Sequence, residues 1–151
     1  MRYAIPGHTH DEVILRFGSL PWHDSELVGL CVQHNSDDEP SGDDLILSVK
    51  FRIGTDPALV DARVVLENCS FLVLNMDLYA KRWSSDQIYD GQCAYHSKLQ
   101  LELAKPIHGD RLLNDLHFYV SMVPPFGEIN AFARGFSVTS SREGHSVLRE
   151  E

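Results

Sequence analysis

The sequence predicts an all-β domain, or a mainly β domain with one short helix, arranged as an antiparallel sandwich or open barrel of about seven strands. Apolar and polar residues alternate over several segments, clusters of Gly, Pro, Asn and Asp separate these segments, and no convincing helical period of apolar residues is evident. A chain of 151 residues has the size of one domain. We place this domain at residues 1–139, and expect a polar, frayed tail at 140–151.

A first pair of strands is predicted at residues 27–33 and 45–53. Residues 45–53 alternate apart from Ile46, whereas residues 27–33 are apolar on both faces, as is typical of a strand covered on both sides. The connecting residues 35–44 are mostly turn formers and acids, so an antiparallel hairpin with a long tip is expected.

The middle of the chain predicts two short strands, or one bulged strand, and then a loop. Residues 62–67 and 71–78 are rich in Val and Leu, which favour strands. Residues 79–91 are polar and aperiodic, with Trp83 and Tyr89 as isolated aromatic anchors. A loop of this length is unusual in a compact domain.

The last third of the chain predicts three more strands. Residues 93–102 alternate again, 116–123 and 128–139 flank a Pro-Pro-Phe-Gly turn, and 108–116 could form two helical turns. Both faces of the strand at 128–139 are expected to be covered near its middle. The side chains expected in the core are Leu47, Val49, Phe51, Val65, Leu74, Leu99, Leu101, Phe118, Val120 and Phe136.

The net charge narrows the classes of partner. Thirteen basic against 22 acidic residues give a formal charge of −9, and such a surface repels nucleic-acid phosphates and anionic lipid headgroups. We therefore expect neither nucleic acid nor a membrane as a direct partner. Three scattered cysteines fit a reducing compartment, and no signal peptide or apolar span is evident, so a cytoplasmic location is expected.

Histidine patterns raise a metal hypothesis. His8 and His10 would point to the same side of an extended segment and could supply two ligands, as an HxH pair does in a cupin-like enzyme. The adjacent Gly7 and the N-terminal position of the pair fit a cupin poorly. We expect no metal and no cofactor, and keep a small metal- or ligand-binding barrel as an alternative.

The segment from Pro21 to Ser25 predicts an ordered polar corner. Pro21 can begin a strand, Trp22 can anchor it, and Asp24 or Ser25 can accept neighbouring backbone N–H groups. His23 beside Asp24 then lies on that corner. A recognition site is the functional alternative to this structural interpretation.

Residues 20–27, Leu-Pro-Trp-His-Asp-Ser-Glu-Leu, lead directly into an apolar strand, a polar hairpin tip and an alternating strand, and then into Ala-Arg-Val-Val-Leu-Glu-Asn at 62–68. This arrangement resembles a group of small bacterial β-rich proteins in which an aromatic-His-Asp-Ser/Ala element opens the first strand. Some of these proteins are regarded as immunity proteins of polymorphic toxin systems. The similarity extends over about residues 20–139.

The resemblance implies a protein-binding module, an immunity-type inhibitor that docks an acidic surface on a basic protein rather than an enzyme. Charge would steer such docking and aromatic side chains would fix it. A structural homodimer through a strand edge is the third hypothesis. The candidate binding residues are Trp22, His23, Asp24, Asp37, Asp38, Asp43, Asp44, Trp83 and Tyr89.

Overall fold

The computed structural model describes residues 2–3, 9–35, 42–53, 59–77, 87–103, 113–123 and 127–140. Within these ranges the chain forms two antiparallel sheets packed face to face, which confirms the predicted mainly β sandwich. No helix in the same ranges is long and apolar enough to cross a membrane.

Nine strands and two helices make up the described part of the chain, against about seven strands expected. In chain order they are β1 (Arg2–Tyr3), α1 (His10–Gly18), β2 (Glu26–Asn35), β3 (Gly42–Arg52), β4 (Leu59–Cys69), β5 (Phe71–Met76), β6 (Ile88–Tyr95), α2 (Lys98–Leu103), β7 (Leu116–Met122), β8 (Gly127–Ala133) and β9 (Gly135–Ser140). Sheet A has the order β1-β9-β4-β3-β2, and sheet B has the order β5-β8-β7-β6.

The predicted hairpin of residues 27–33 and 45–53 is the β2–β3 pair, which is antiparallel as expected. The prediction that residues 27–33 are covered on both sides is wrong. Val28 and Val32 are 55% and 53% exposed, because β2 is the edge strand of sheet A and pairs only with β3 within the described residues. A shift of register between Leu27 and Gly29 marks a bulge in this edge.

A bent ribbon connects the two sheets. β4 and β5 are separated only by Ser70, and β8 and β9 only by Arg134, yet β4 pairs with β9 in sheet A while β5 pairs with β8 in sheet B. Backbone hydrogen bonds continue through the bend, from Ser70 N to Phe132 O (2.8 Å) and from Arg134 N to Glu67 O (2.9 Å). The chain therefore passes from one sheet to the other at this corner twice, between β4 and β5 and between β8 and β9.

The bend divides each of the two segments, 62–78 and 128–139, between the two sheets. The strand predicted at 128–139 is two strands in different sheets, and of the two alternatives for 62–78 the two-strand one is confirmed. Asn68 takes a positive φ of 51° at the corner, a conformation that Asn adopts more readily than most residues.

Helix α1 was not predicted by apolar periodicity. Thr9 caps it, since its hydroxyl accepts a hydrogen bond from Glu12 N (3.2 Å), and acidic residues occupy its first turn. Val13 and Phe17, four residues apart, bury one face of the helix in the core. α1 packs chiefly against β6.

The strand predicted at 93–102 is wrong beyond Tyr95, because α2 begins at Lys98. Ser97 and Gln100 form a reciprocal capping pair: Gln100 N donates to Ser97 Oγ (3.2 Å), and Ser97 N donates to Gln100 Oε1 (3.1 Å). The leucines that alternate in the sequence lie on different sides of this helix, so Leu99 packs inwards while Leu101 is 43% exposed.

Alternating side chains of both sheets build the core. Of the ten residues predicted there, six are buried, namely Leu47, Val49, Phe51, Phe118, Val120 and Phe136. Val65 and Leu99 are partly buried. The prediction is wrong for Leu74 and Leu101, each of which is 43% exposed. Leu74 lies on edge strand β5, and Leu101 lies on the open side of α2.

Trp22 lies at the centre of an aromatic cluster. Its ring centroid is 5.0 Å from that of Phe17 and 5.4 Å from that of Phe51, and its indole Nε1 donates to Phe17 O (2.8 Å). Gly91 of β6 leaves the space for the indole, because a Cβ there would lie 2.5 Å from Trp22 ring atoms. The strand predicted to begin at Pro21 is wrong at its start, because β2 begins at Glu26; Trp22 anchors the segment that precedes the strand.

Several predictions concern residues outside the described ranges. These are the hairpin tip at 36–41, most of the loop at 79–91, most of the helical turns at 108–116 and the tail at 141–151. The end of the predicted loop, residues 87–91, is instead a bridge residue followed by the start of β6.

Replacing Gly91 by Ala should lower the free energy of unfolding by about 1–3 kcal/mol, because the new methyl group overlaps the buried indole of Trp22. Urea denaturation measures the change. Gly29→Ala is the matched control, since no atom lies within 4 Å of a Cβ at that strand position. Equal loss in both variants would show that the effect is one of strand glycines in general, not of the Trp22 contact.

Candidate functional site

The outer face of sheet B carries a row of polar side chains. Strand β7 alternates between buried Leu116, Phe118, Val120 and Met122 on the inner face and less buried residues on the outer face. The outer positions of β7 are His117, Tyr119 and Ser121, and their partners on β8 are Phe132, Asn130 and Glu128. The alternation that builds the core therefore places this row on the opposite face.

Hydrogen bonds link the row from α2 to the far end of β7. His117 Nδ1 lies 2.8 Å from Ser97 Oγ, and His117 Nε2 lies 2.7 Å from Asn130 Oδ1. Asn130 Nδ2 donates to Glu128 Oε1 at 3.4 Å, and Tyr119 OH donates to Glu128 Oε2 at 2.8 Å. The row of hydrogen bonds thus ends at the Glu128 carboxylate, which the neutral side chains of Tyr119 and Asn130 hold in place.

The surroundings of His117 favour its neutral form. Burial lowers the pKa of His117, against the opposing effects of the Asn130 hydrogen bond and the Glu128 charge. A neutral ring whose Nε2 donates to the Asn130 oxygen can accept at Nδ1 from the Ser97 hydroxyl. The Ser97 hydroxyl has its acceptor lone pair free for Gln100 N.

Helix α2 covers one end of this outer face. Phe132 is fully buried beneath it in a second, smaller apolar cluster with Phe71, Leu99, Leu103 and Leu113. Gln100, also buried, fastens the helix by donating from Nε2 to Asp115 O (2.7 Å). The half of the face away from α2 is left open.

That open half forms a cleft of about 800 Å³, which we call the tyrosine cleft. The residues that line it are Asn75, Tyr89, Asp90, Gln92, Tyr119, Ser121, Met122, Gly127 and Glu128. Gly127 has a φ of 115° and a Cβ there would meet the backbone of Asn75. Only glycine therefore lets β8 begin so close to the end of β5.

The cleft carries two carboxylates and no basic side chain among its described lining residues. Asp90 accepts from its neighbour Gly91 N (2.9 Å) and from Gln92 Nε2 (2.7 Å), and Glu128 accepts from Tyr119 and Asn130. The hydrogen bond to Glu128 raises the pKa of Tyr119, and burial and the charges of Glu128 and Asp90 act in the same direction. Among the residues that the structure describes, no basic side chain lines the cleft beside these two carboxylates.

A second concave region, of about 520 Å³, lies on the outer face of sheet A. It includes Lys50 and Arg63 as well as Asp61, and Lys50 Nζ lies 4.0 Å from Asp61 Oδ1. Both signs of charge occur in this region, so it shows no preference for one sign. The tyrosine cleft differs because both charged residues of its described lining are acidic.

The predicted polar corner adjoins the tyrosine cleft through Tyr89. His23 Nδ1 lies 3.2 Å from Tyr89 O, the two rings meet edge to face at 5.9 Å, and His23 Nε2 lies 3.7 Å from Asp24 Oδ1. Asp24 takes a positive φ of 63° and accepts a hydrogen bond from Gln87 Nε2. Tyr89 itself is 56% exposed.

Hydrogen bonds fix this corner to two elements, β6 and β3. Asp24 N donates to Ile88 O (3.2 Å), and Ile88 N donates to Ser25 O (2.6 Å). The buried Ser25 hydroxyl donates to Pro21 O and accepts from Arg52 N (2.9 Å) at the end of β3. The expected acceptance of a backbone N–H by Ser25 is confirmed.

Of the nine predicted binding residues, the structure brings three together on the surface, namely His23, Asp24 and Tyr89. Trp22 lies beneath them and is 2% exposed, so it supports the corner from the core. Asp43 and Asp44 lie on β3, away from this site, where Asp43 Oδ1 contacts His34 Nδ1 (2.7 Å) and Asp44 accepts from Asn68 N (3.0 Å). Asp37, Asp38 and Trp83 lie outside the described residues.

The His8–His10 pair was expected on an extended segment, but His10 is the first residue of α1 and stacks on Tyr95 at 4.2 Å. His8 is outside the described ranges. Among the described residues there is no group of three or more His, Cys, Asp and Glu side chains placed to hold a metal ion.

Four residues of this site, Tyr119, Glu128, His117 and Asn130, are not among those predicted from the sequence. A signal for them was present, since the polar positions of 116–123 alternate with its apolar positions and must share one face. Their partners on the next strand depend on register, which the Pro-Pro-Phe-Gly turn alone did not define.

Comparison of the chain with protein-family models, with curated proteins and with solved structures finds no significant match. The geometry of the cleft and of the corner is therefore the basis for a functional proposal.

His117 should make stability depend on pH. Because the pKa of His117 is lowered in the folded state, the unfolded chain binds the proton more readily. The contribution of His117 to the free energy of unfolding is therefore complete above the ordinary pKa of 6.5. It declines as the pH falls from 6.5 through the lower pKa of the folded state. The difference in unfolding free energy between the wild type and His117→Gln should shrink from pH 8 to about pH 5. A constant difference in urea denaturation across this range would contradict the assignment of a neutral His117.

Proposed function

We propose that the protein is a protein-binding module whose tyrosine cleft takes basic side chains of a partner protein. The observation that carries the proposal is the pairing of Asp90 and Glu128 with Tyr89 and Tyr119 in an open cleft whose described lining has no basic residue. A Lys or Arg side chain is attracted both by carboxylates and by the faces of aromatic rings. Asn75, Gln92 and Ser121 add neutral hydrogen-bonding groups around the charges.

The carboxylates of the cleft are held in place before any partner binds, as in a preformed recognition site. Glu128 is held by Tyr119 and Asn130, and Asp90 by Gly91 and Gln92, so little side-chain freedom is lost when a cation arrives. The partly exposed Tyr89 provides an aromatic surface of the kind that dominates binding energy at interfaces. His23 supports Tyr89 from the corner side.

The finer proposal is that the partner is a basic toxin domain and that the module inhibits it stoichiometrically. The net charge of −9 supports fast, steered association with a basic protein. The resemblance of residues 20–27 to the opening element of small bacterial immunity-type proteins supports the same class, and that element is the corner beside the cleft. The acids Asp43 and Asp44 are not part of this site, because both lie on β3 and neither lines the cleft.

Selection of random peptides displayed on phage tests the proposal. Peptides enriched by the wild-type protein should contain Lys and Arg well above their frequency in the library. The double variant Asp90→Asn, Glu128→Gln should lose this enrichment, with affinity for a selected basic peptide reduced about tenfold or more, as for charged partners at an interface.

The matched control is Asp11→Asn with Asp61→Asn, two exposed acids away from the cleft whose replacement changes the net charge equally. This pair should bind the selected peptide within about twofold of the wild type, since distant exposed charges are screened beyond about 8–10 Å. Equal losses in both double variants would assign the effect to net charge and reject the cleft. Absence of basic residues from the enriched peptides would reject the proposal itself.

A further inference from the structure

Strand β5 is an edge strand that pairs only with β8 within the described residues. In an antiparallel edge strand, alternate residues direct their backbone N–H and C=O groups away from the sheet, where another strand can bind them. The side chains of β5 are accessible as well, with Val73 42% and Leu74 43% exposed.

The β5 edge lacks the features that usually prevent strand addition. Its six residues, Phe71–Met76, contain no charge and no proline, and its register with β8 runs without a bulge. The other described edges differ. β1 has two residues, β2 carries a bulge, and β6 is packed by α1 and bridged to Glu26 through Gln87.

The edge also borders the tyrosine cleft. The outer-face residues of β5 are Phe71, Val73 and Asn75, and Asn75 both pairs with Glu128 and lines the cleft. A strand added to β5 would lie about 4.8 Å beyond it and two spacings, about 10 Å, from β8. A basic side chain on the outer face of that strand, opposite Asn75, would therefore project towards Glu128, the nearer of the two carboxylates of the cleft, whereas Asp90 lies on β6 at the far edge of sheet B.

We propose that β5 receives an extended segment of the basic partner as a fifth strand of sheet B, with Lys or Arg at the alternate positions that face the cleft. This inference rests on the proposed function and specifies how the partner binds. Backbone hydrogen bonds to β5 supply affinity without regard to sequence, and the cleft supplies the preference for basic residues.

A second copy of this chain fits the edge less well. In a two-fold antiparallel pairing of β5 with itself, the residue opposite Asn75 is one of the outer-face residues Phe71, Val73 or Asn75, none of which is basic. Two chains with a net charge of −9 also repel each other. Charge complementarity thus favours a basic segment over self-association.

Two synthetic peptides of about nine residues, the length of a long strand, test the inference. They have the same composition of Lys, Val and Thr. One alternates Lys with uncharged residues and the other has its lysines in one block. The alternating peptide should bind about tenfold more tightly, and at saturation it should slow amide hydrogen exchange within residues 71–76 about tenfold, because only its pattern presents all lysines on one face.

Leu74→Lys should weaken binding of the alternating peptide about tenfold, since a charge on an edge strand opposes strand addition. Leu101→Lys is the matched control, because Leu101 is equally exposed but lies on α2, and it should leave binding unchanged. A second measurement needs no variant of the protein. Methylation of the peptide nitrogens along one edge should abolish binding, while methylation along the other edge should not.

The outcomes separate the two proposals. Equal binding of both Lys peptides without protection of residues 71–76, but loss of binding in Glu128→Gln, would overturn the strand-addition inference and leave the proposed function standing. Protection by a peptide with Glu in place of Lys, equal to that by the Lys peptide, would overturn the requirement for a basic partner in both proposals. Dimerisation of the protein alone that is lost in Leu74→Lys would show that a second copy occupies the edge, which also overturns the inference.

Discussion

The insertion of the Trp22 indole over Gly91 is the contact on which the arrangement of the two sheets depends. The ring occupies the volume that a side chain of β6 would otherwise fill, and its Nε1 holds the last turn of α1 through Phe17 O. The residues that follow it bond to β3 and to the start of β6. The Trp22 side chain and the residues that follow it thus connect α1, β3 and β6 at the start of β2, and the surface corner of His23 and Asp24 lies directly above this anchor.

The polar outer face of sheet B follows from how the core is built. Strand β7 can send Leu116, Phe118, Val120 and Met122 inwards only by sending His117, Tyr119 and Ser121 outwards. The bent ribbon of β4–β5 and β8–β9 then sets Glu128 and Asn130 beside them. Because α2 buries Phe132 at one end, the outer face is divided into a dry half, which adds stability, and a wet half, where the carboxylates meet solvent.

The sequence predicts the parts of this molecule that a two-residue period controls. The β2–β3 hairpin, the buried positions of β3 and β7 and the anchoring role of Trp22 all follow from local pattern. The two helices do not follow from local pattern. Each is short and is set by the cap at its N-terminus more than by the spacing of its apolar residues. The caps are Thr9 with Glu12 in α1 and Ser97 with Gln100 in α2. Local pattern does not predict the cleft either, since Tyr89 and Asn75 lie on β6 and β5, at opposite edges of sheet B. Leu74 illustrates the same limit: its alternation is that of a core residue, but its strand lies at an edge.

The hydrogen bonds from Ser97 to Glu128 have a consistent direction. With His117 neutral, Ser97 donates to His117, His117 to Asn130 and Asn130 to Glu128, while Tyr119 donates from the other side. Reversing any one bond would require the neighbouring amide to rotate and the imidazole to exchange tautomers. Each hydrogen bond in this series therefore polarises the next one in the same direction, towards Glu128. The dipoles of four neutral side chains point at the Glu128 carboxylate. Glu128 thus keeps its charge at the surface of the open cleft with hydrogen bonds from Tyr119 and Asn130 on the protein side.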